Sequence, residues 1–195
     1  MARAETRGRI LRAAVRTLAD EGYARTTARA IARTGGFAPG VIYYHFADLD
    51  DLFVATVRFT SEARLERYRA ETAGVTSAVE LIRRLRRLYE EDGAEGHIAA
   101  VQELVAAATA ASGLAVQIRA ETARWQDFAE QVIAGFVAGT PFAALTPARE
   151  VARAAVAAYL GMEMLSHLDA DRTGPEALFD AAERAAVLFD ALRPR

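Results

Sequence analysis

Cysteine is absent from the 195 residues. No disulfide framework, thiolate zinc site or cysteine nucleophile is therefore available. Lysine is absent too, so every fixed positive charge is an arginine. No uninterrupted apolar run reaches the roughly 18 to 20 residues needed to cross a bilayer. Arg3, Arg7 and Arg9 with Glu5 lead into no secretory hydrophobic core, and the expectation is a cytoplasmic protein with no membrane partner. Also missing are a glycine-rich phosphate loop, a Gly-x-Ser-x-Gly elbow and a His-Glu-x-x-His site, the usual signs of nucleotide, acyl or metallopeptidase chemistry. The expectation is therefore a non-enzyme without cofactor or metal.

What is present is helical. With 52% hydrophobic and 26% charged residues, the chain has the composition of a globular protein. Its charge is uneven. Residues 1–46 hold eight arginines against Glu5, Asp20 and Glu21, a net +5, and the remainder carries −7. Such a split suits a small basic region that meets an anionic partner, attached to a body that does not.

Ile10, Leu11, Ala14, Val15 and Leu18 recur at helical spacing, and Gly22 closes that helix. A second helix is expected from Thr26 or Thr27, as a hydroxyl cap, to the Gly35–Gly36 break. Pro39 suits the first position of a third, and Asp48 the cap of a fourth. Further on, Ser77-Ala78-Val79-Glu80 reads as a capping box. Its helix places Leu81, Ile82, Leu85, Leu88 and Tyr89 inward and Arg83, Arg84, Arg86 and Arg87 outward. Stripes at Ile98 to Ala108 and Ile118 to Phe136 follow. Two alanine-rich helices, roughly 147–168 and 175–192, end the chain. No strand is expected, and the chain reads as all-α.

Two short helices joined through glycine, preceded by a longer one and carrying the basic excess, meet the requirements of a helix-turn-helix reader. The residues then become specific. Thr27-Ala28, Ile31-Ala32, the run Gly36-Phe37-Ala38-Pro39-Gly40-Val41-Ile42-Tyr43-Tyr44-His45-Phe46, and Leu52 together resemble the DNA-binding segment of the tetracycline-repressor (TetR) family.

The resemblance implies a three-helix DNA-binding domain at 1–48 and a larger helical domain for ligand binding and dimerisation at 49–195. By it, Ile31, Ala32, Ile42 and Phe46 pack on Leu11, Val15 and Leu18, and Gly40 permits close packing or close approach to DNA. Thr27, Tyr43 and His45 approach phosphates or support the groove contact. Pro39, Val41 and Tyr44 face base edges. Three departures qualify it. Ala38 stands where the family commonly has a serine cap, Leu49 where it has a phosphate-binding lysine, and Pro39 and Val41 offer bases no side-chain hydrogen bond. Arg25, Arg29 and Arg33, with a mobile Arg3 and Arg7, are then expected to supply affinity.

The implied partners are double-stranded DNA, a small and largely apolar effector, and a second copy docked through the last two helices. Tyr89, Trp125, Phe128 and Met162 are the candidate apolar lining, with Gln102, Glu103, His97 or His167 as orienting polar groups. Aromatics and methionines at helical spacing are more often plain core. Glu163 and His167, four residues apart, lack a second Glu-x-x-His pair for a di-iron bundle. The expected activity is that of a ligand-responsive repressor on a palindromic operator. The alternatives are a helical-bundle enzyme and a ligand-free DNA-binding scaffold.

Overall fold

The computed structural model describes residues 2–108, 113–169 and 173–192. All secondary structure among them is helical. The helices are α1 (Ala2–Glu21), α2 (Ala28–Gly35), α3 (Gly40–His45), α4 (Leu49–Thr72), α5 (Ala78–Ala94), α6 (His97–Ala107), α7 (Gly113–Val137), α8 (Ala148–Asp169) and α9 (Thr173–Leu192). Short 3₁₀ turns occupy Tyr23–Arg25 and Pro141–Ala144. The glycine and proline breaks read from the sequence fall at helix ends. Gly22, Gly36 and Gly139 all take left-handed φ, which side chains with a Cβ resist.

The chain divides into two compact units, residues 1–64 with 92–121, and residues 65–91 with 122–195. In the first, Ile10, Leu11, Ala14, Ile31, Ile42, Phe46 and Leu52 form one buried cluster. Val15, Leu18, Phe53, Val57, Ala100 and Leu104 form a second. The helix pair thus meets Leu11 as expected, while Val15 and Leu18, one and two turns further along α1, pack in the cluster that holds α6. An ion pair is buried here as well, Arg64 Nε to Asp92 Oδ2 at 2.7 Å, with side-chain exposures of 8% and 0%. Removing one partner of such a pair strands the other charge in the interior.

In the second unit, Leu65, Tyr68, Leu88 and Phe128 form the core, with Leu85, Trp125 and Val132 against it. The capping box of α5 is half as read. Glu80 N donates to Ser77 Oγ at 3.2 Å, but the Glu80 carboxylate pairs with Arg84. Asp190 of α9 supplies the rest, accepting from Ala78 N at 2.9 Å, Val79 N at 3.2 Å and Ser77 Oγ at 2.8 Å.

The arginines of α5 point away from the core as expected, but they are paired. Arg83 meets Glu183 and Arg86 meets Asp180, both on α9, and Arg87 meets Glu71. The hydrogen bond to Asp180 holds the Arg86 guanidinium above its ordinary pKa. Carboxylates at 180, 183 and 190 therefore fasten one side of α9 along α5.

The opposite side of α9 is bare. Leu178, Ala181, Ala185, Leu188 and Leu192, spaced by alternating steps of three and four, are all exposed. Among the described residues, eight of the thirteen exposed large apolar side chains lie on α8 and α9.

Candidate nucleic-acid interface

The candidate interface is assembled by local chemistry at each joint of the first unit. After α1, Gly22 turns the chain at φ 77°. Thr26, buried, donates its hydroxyl to Gly22 O at 2.7 Å, which ties the turn to itself. Thr27 then caps α2, its Oγ1 accepting from Ala30 N at 3.2 Å. Its oxygen is thereby engaged in the cap, while the residue stays exposed.

At the far end, Gly36 adopts φ 67° and Phe37 N donates back to Ala32 O at 3.1 Å. This is the left-handed helix stop that glycine supplies without a Cβ penalty. Gly35 has a different reason to be glycine. A Cβ there would sit 2.0 Å from the Phe37 ring, which folds over the bare backbone.

α3 starts without a side-chain cap. Pro39 has helical φ −53°, and the carbonyls of Ala38 and Pro39 accept from Val41 N and Ile42 N at 3.0 and 3.1 Å. Proline fixes its own φ in the helical range, which partly offsets the missing side-chain cap.

Burial then sorts the helix into two faces. Ile42 and Phe46 are buried, whereas Tyr43 and Tyr44 are 56% and 71% exposed. Tyr44 also meets the His45 ring edge-on at 5.2 Å. Pro39 and Gly40 are exposed, and a Cβ on Gly40 would meet nothing within 4 Å. Packing within the chain therefore does not demand glycine at that position. Val41 is half-buried against the first cluster and shows only part of its surface outward.

Asp48 caps α4 by accepting from Asp51 N at 2.8 Å, and Asp51 accepts from Ala47 N at 3.1 Å. The acidic group after the aromatics is thus a reciprocal helix cap. Leu49 packs on both clusters of the unit.

The arginines separate by what they touch. Arg33 pairs with Glu21 at 2.7 Å. Arg25 and Arg29 are exposed, and among the described residues neither enters an ion pair. Arg3 and Arg7, expected to be mobile, lie instead within α1. Their guanidiniums stand over Tyr44 at 5.4 Å and Phe46 at 4.9 Å. Planar guanidiniums stack on aromatic faces, and that attraction favours continuing α1 to Ala2.

The candidate ligand residues are not all brought together. Trp125 and Phe128 share one aromatic cluster with Tyr68, at centroid distances of 5.0 and 6.4 Å from it. Tyr89 stacks with Tyr159 and Phe179 instead. Met162 is half-buried on α8. Gln102 belongs to the other unit, and its Nε2 is buried without a hydrogen-bond partner among the described residues. Glu103 is already engaged, since its Oε2 accepts from Tyr23 N at 2.6 Å. His97 pairs with Glu95 at 3.2 Å. The side chains of Glu163 and His167 lie outside the described residues. Among the described residues, no three potential metal ligands of the His, Cys, Asp or Glu type gather, and no helix is long and apolar enough to cross a membrane.

Comparison with known proteins follows the same outline. Residues 10–56 match the family described as bacterial regulatory proteins, tetR family. An uncharacterized HTH-type transcriptional regulator of Mycobacterium bovis is 32% identical over 73 residues, 37% of each chain. The chain thus spans little more than a third of that relative's length. Among solved structures, a member of the TetR family from Streptomyces coelicolor is 26% identical at a TM-score of 0.65, covering 98% of this chain and 99% of that one. The regulator FadR from Bacillus subtilis, solved with stearoyl-CoA, superimposes at a TM-score of 0.73 with 16% identity, covering 92% and 96%. The segment at residues 10–56 is thus similar to the helix-turn-helix of the tetR family of bacterial regulatory proteins, and the all-helical fold around it is one that a solved member of that family shares.

Proposed function

We propose that the protein is a ligand-responsive transcriptional repressor that binds a palindromic operator as a homodimer. Residues 1–48 meet DNA, and residues 49–195 carry the effector response and the dimer contact. The observation that carries this reading is α3. One face of that short helix is locked into the core by Ile42 and Phe46, and the other presents two exposed tyrosines. Neither phenol is used by the buried core of the unit, whereas a duplex offers phosphate oxygens to the phenols and thymine methyls to the rings.

In this reading Tyr43 and His45 contact phosphates. Pro39, Tyr44 and the outward part of Val41 read base edges and groove shape. Thr27 supports the contact by capping α2, and the exposed Arg29 supplies charge. Two copies place two such helices in successive major grooves about 34 Å apart. Occlusion of promoter DNA then gives repression.

A largely apolar effector is supported by the aromatic cluster of Trp125 and Phe128 with Tyr68, with Tyr89 and Met162 as further apolar candidates. Gln102, in its own unit, is a separate polar candidate whose buried amide nitrogen offers a donor. Binding to the folded state alone raises the unfolding midpoint. Stearoyl-CoA is a rational first probe in such a thermal-shift panel, given its presence in a structure of the same fold.

The direct test is selection of bound sites from random duplexes. An enriched inverted repeat is expected, with half-site centres one helical turn, or a multiple of it, apart. An unenriched pool, or a site without twofold symmetry, overturns the reading.

A further inference from the structure

The turn between α1 and α2 is tied by Thr26 to Gly22 and by Thr26 N to Tyr23 O, both within the turn itself. Its long-range tether comes from eighty residues away. Tyr23 N donates to Glu103 Oε2 of α6 at 2.6 Å. The same carboxylate lies against Gly22, where an added Cβ would meet its oxygen at 3.2 Å. Around this contact α6 packs on α1 through Ala100 and Leu104 beside Val15 and Leu18, and the Tyr23 ring tilts onto Phe53 at 5.2 Å. A carboxylate accepting from a backbone amide is a charge-assisted bond, about twice as strong as a neutral one. Apolar packing lets two helices slide over each other, but a single short bond to a main-chain amide fixes their register.

We infer that Glu103 is the positioning residue through which α6 sets the helix-turn-helix: its carboxylate holds the Tyr23 amide, and with it the start of α2, in the arrangement that fits DNA. The inference rests on the proposed DNA-binding reading and adds its internal linkage.

The test compares Glu103→Gln with Glu103→Met in the full-length chain. Both remove the charge and keep the length of the side chain, but only glutamine retains an oxygen to accept from Tyr23 N. The comparison therefore separates the hydrogen bond from the change in electrostatic repulsion toward DNA. Amide exchange at Tyr23 is expected to be at least tenfold faster in Glu103→Met than in Glu103→Gln. Affinity for the selected operator should be at least fivefold weaker in Glu103→Met, with the same salt dependence in both, because Glu103 contacts no phosphate. Thermal midpoints show that each variant is folded at the assay temperature. Should Glu103→Met not fold, the smaller Glu103→Ala takes its place in the same comparison.

Equal Tyr23 exchange, or equal operator affinity, in the two variants overturns the clasp while leaving the DNA reading intact. A fall in midpoint with unchanged operator affinity does the same, since it reduces Glu103 to a structural contact. If the wild-type chain enriches no duplex, the DNA reading fails and this inference fails with it.

Discussion

Single residues in the first unit are constrained by geometry that can be tested one side chain at a time. Gly35 is the sharpest case, because a Cβ there would sit 2.0 Å from the Phe37 ring. Gly35→Ala must push that ring off the end of α2. Overpacking of this kind costs about 1–3 kcal/mol, a fall of several degrees in the melting midpoint for a chain of this size. An unchanged midpoint would mean that the ring has room to turn aside. Arg29 and Tyr43 make contrasting predictions about DNA. Arg29→Ala should weaken operator binding and lower the slope of log affinity against log salt by about one counterion. Tyr43→Phe should weaken binding with the slope unchanged, because a neutral phenol displaces no counterion. A slope unaffected by Arg29→Ala removes that residue from the phosphate contacts.

At the level of helices, what could be read in advance and what could not divide by distance along the chain. The α2 cap at Thr27, the glycine stop at Gly36 and the Asp48 cap are made by neighbours within a few residues, so residue type and spacing announce them. The buried faces of α1, α2 and α3 were equally legible, since apolar periodicity reports burial whatever the partner is. The second half of the α5 cap was not legible. Its acceptor, Asp190, lies more than a hundred residues away, and nothing in Ser77 to Glu80 points to it. The same holds for the bond from Tyr23 N to Glu103, eighty residues away, because the sequence alone offers Glu103 only as an orienting group for a ligand. Arg3 and Arg7 carry no sign of being held in their own stretch of sequence, because the rings they stand over, Tyr44 of α3 and Phe46 just after it, lie about forty residues on. Asp190 gives this scale its prediction. Asp190→Ala leaves the Ala78 and Val79 amides without their acceptor and should cost about 1–2 kcal/mol, the usual price of a lost helix cap. Thermal unfolding checks it, and amide exchange in the first turn of α5 should rise in the same variant. A midpoint equal to wild type would show that water replaces the carboxylate without loss.

For the molecule as a whole, the decisive surface is the one that α9 turns away from α5. Carboxylates at 180, 183 and 190 bind one side of the helix to its own chain. The bare side carries Leu178, Ala181, Ala185, Leu188 and Leu192 at three-and-four spacing, the repeat by which two helices interlock along a seam. On α8 the exposed Val151, Ala154, Ala158 and Leu165 follow the same rhythm, with alanines small enough to let backbones approach. A surface this apolar on both terminal helices is costly to leave in water, and a twofold axis lets it cover itself with a second copy. Leu188, 63% exposed, is the probe of that seam. In the proposed dimer, Leu188→Arg brings two guanidiniums toward each other across the axis, but the same side chain meets only solvent in the isolated chain. The expected outcome in sedimentation is a folded monomer with a near-wild-type helical spectrum. Its operator affinity should fall by orders of magnitude, because each head then binds one half-site alone. A Leu188→Arg protein that still sediments as a dimer would remove α9 from the interface, and a wild-type monomer that binds a palindrome at full affinity would remove the need for one.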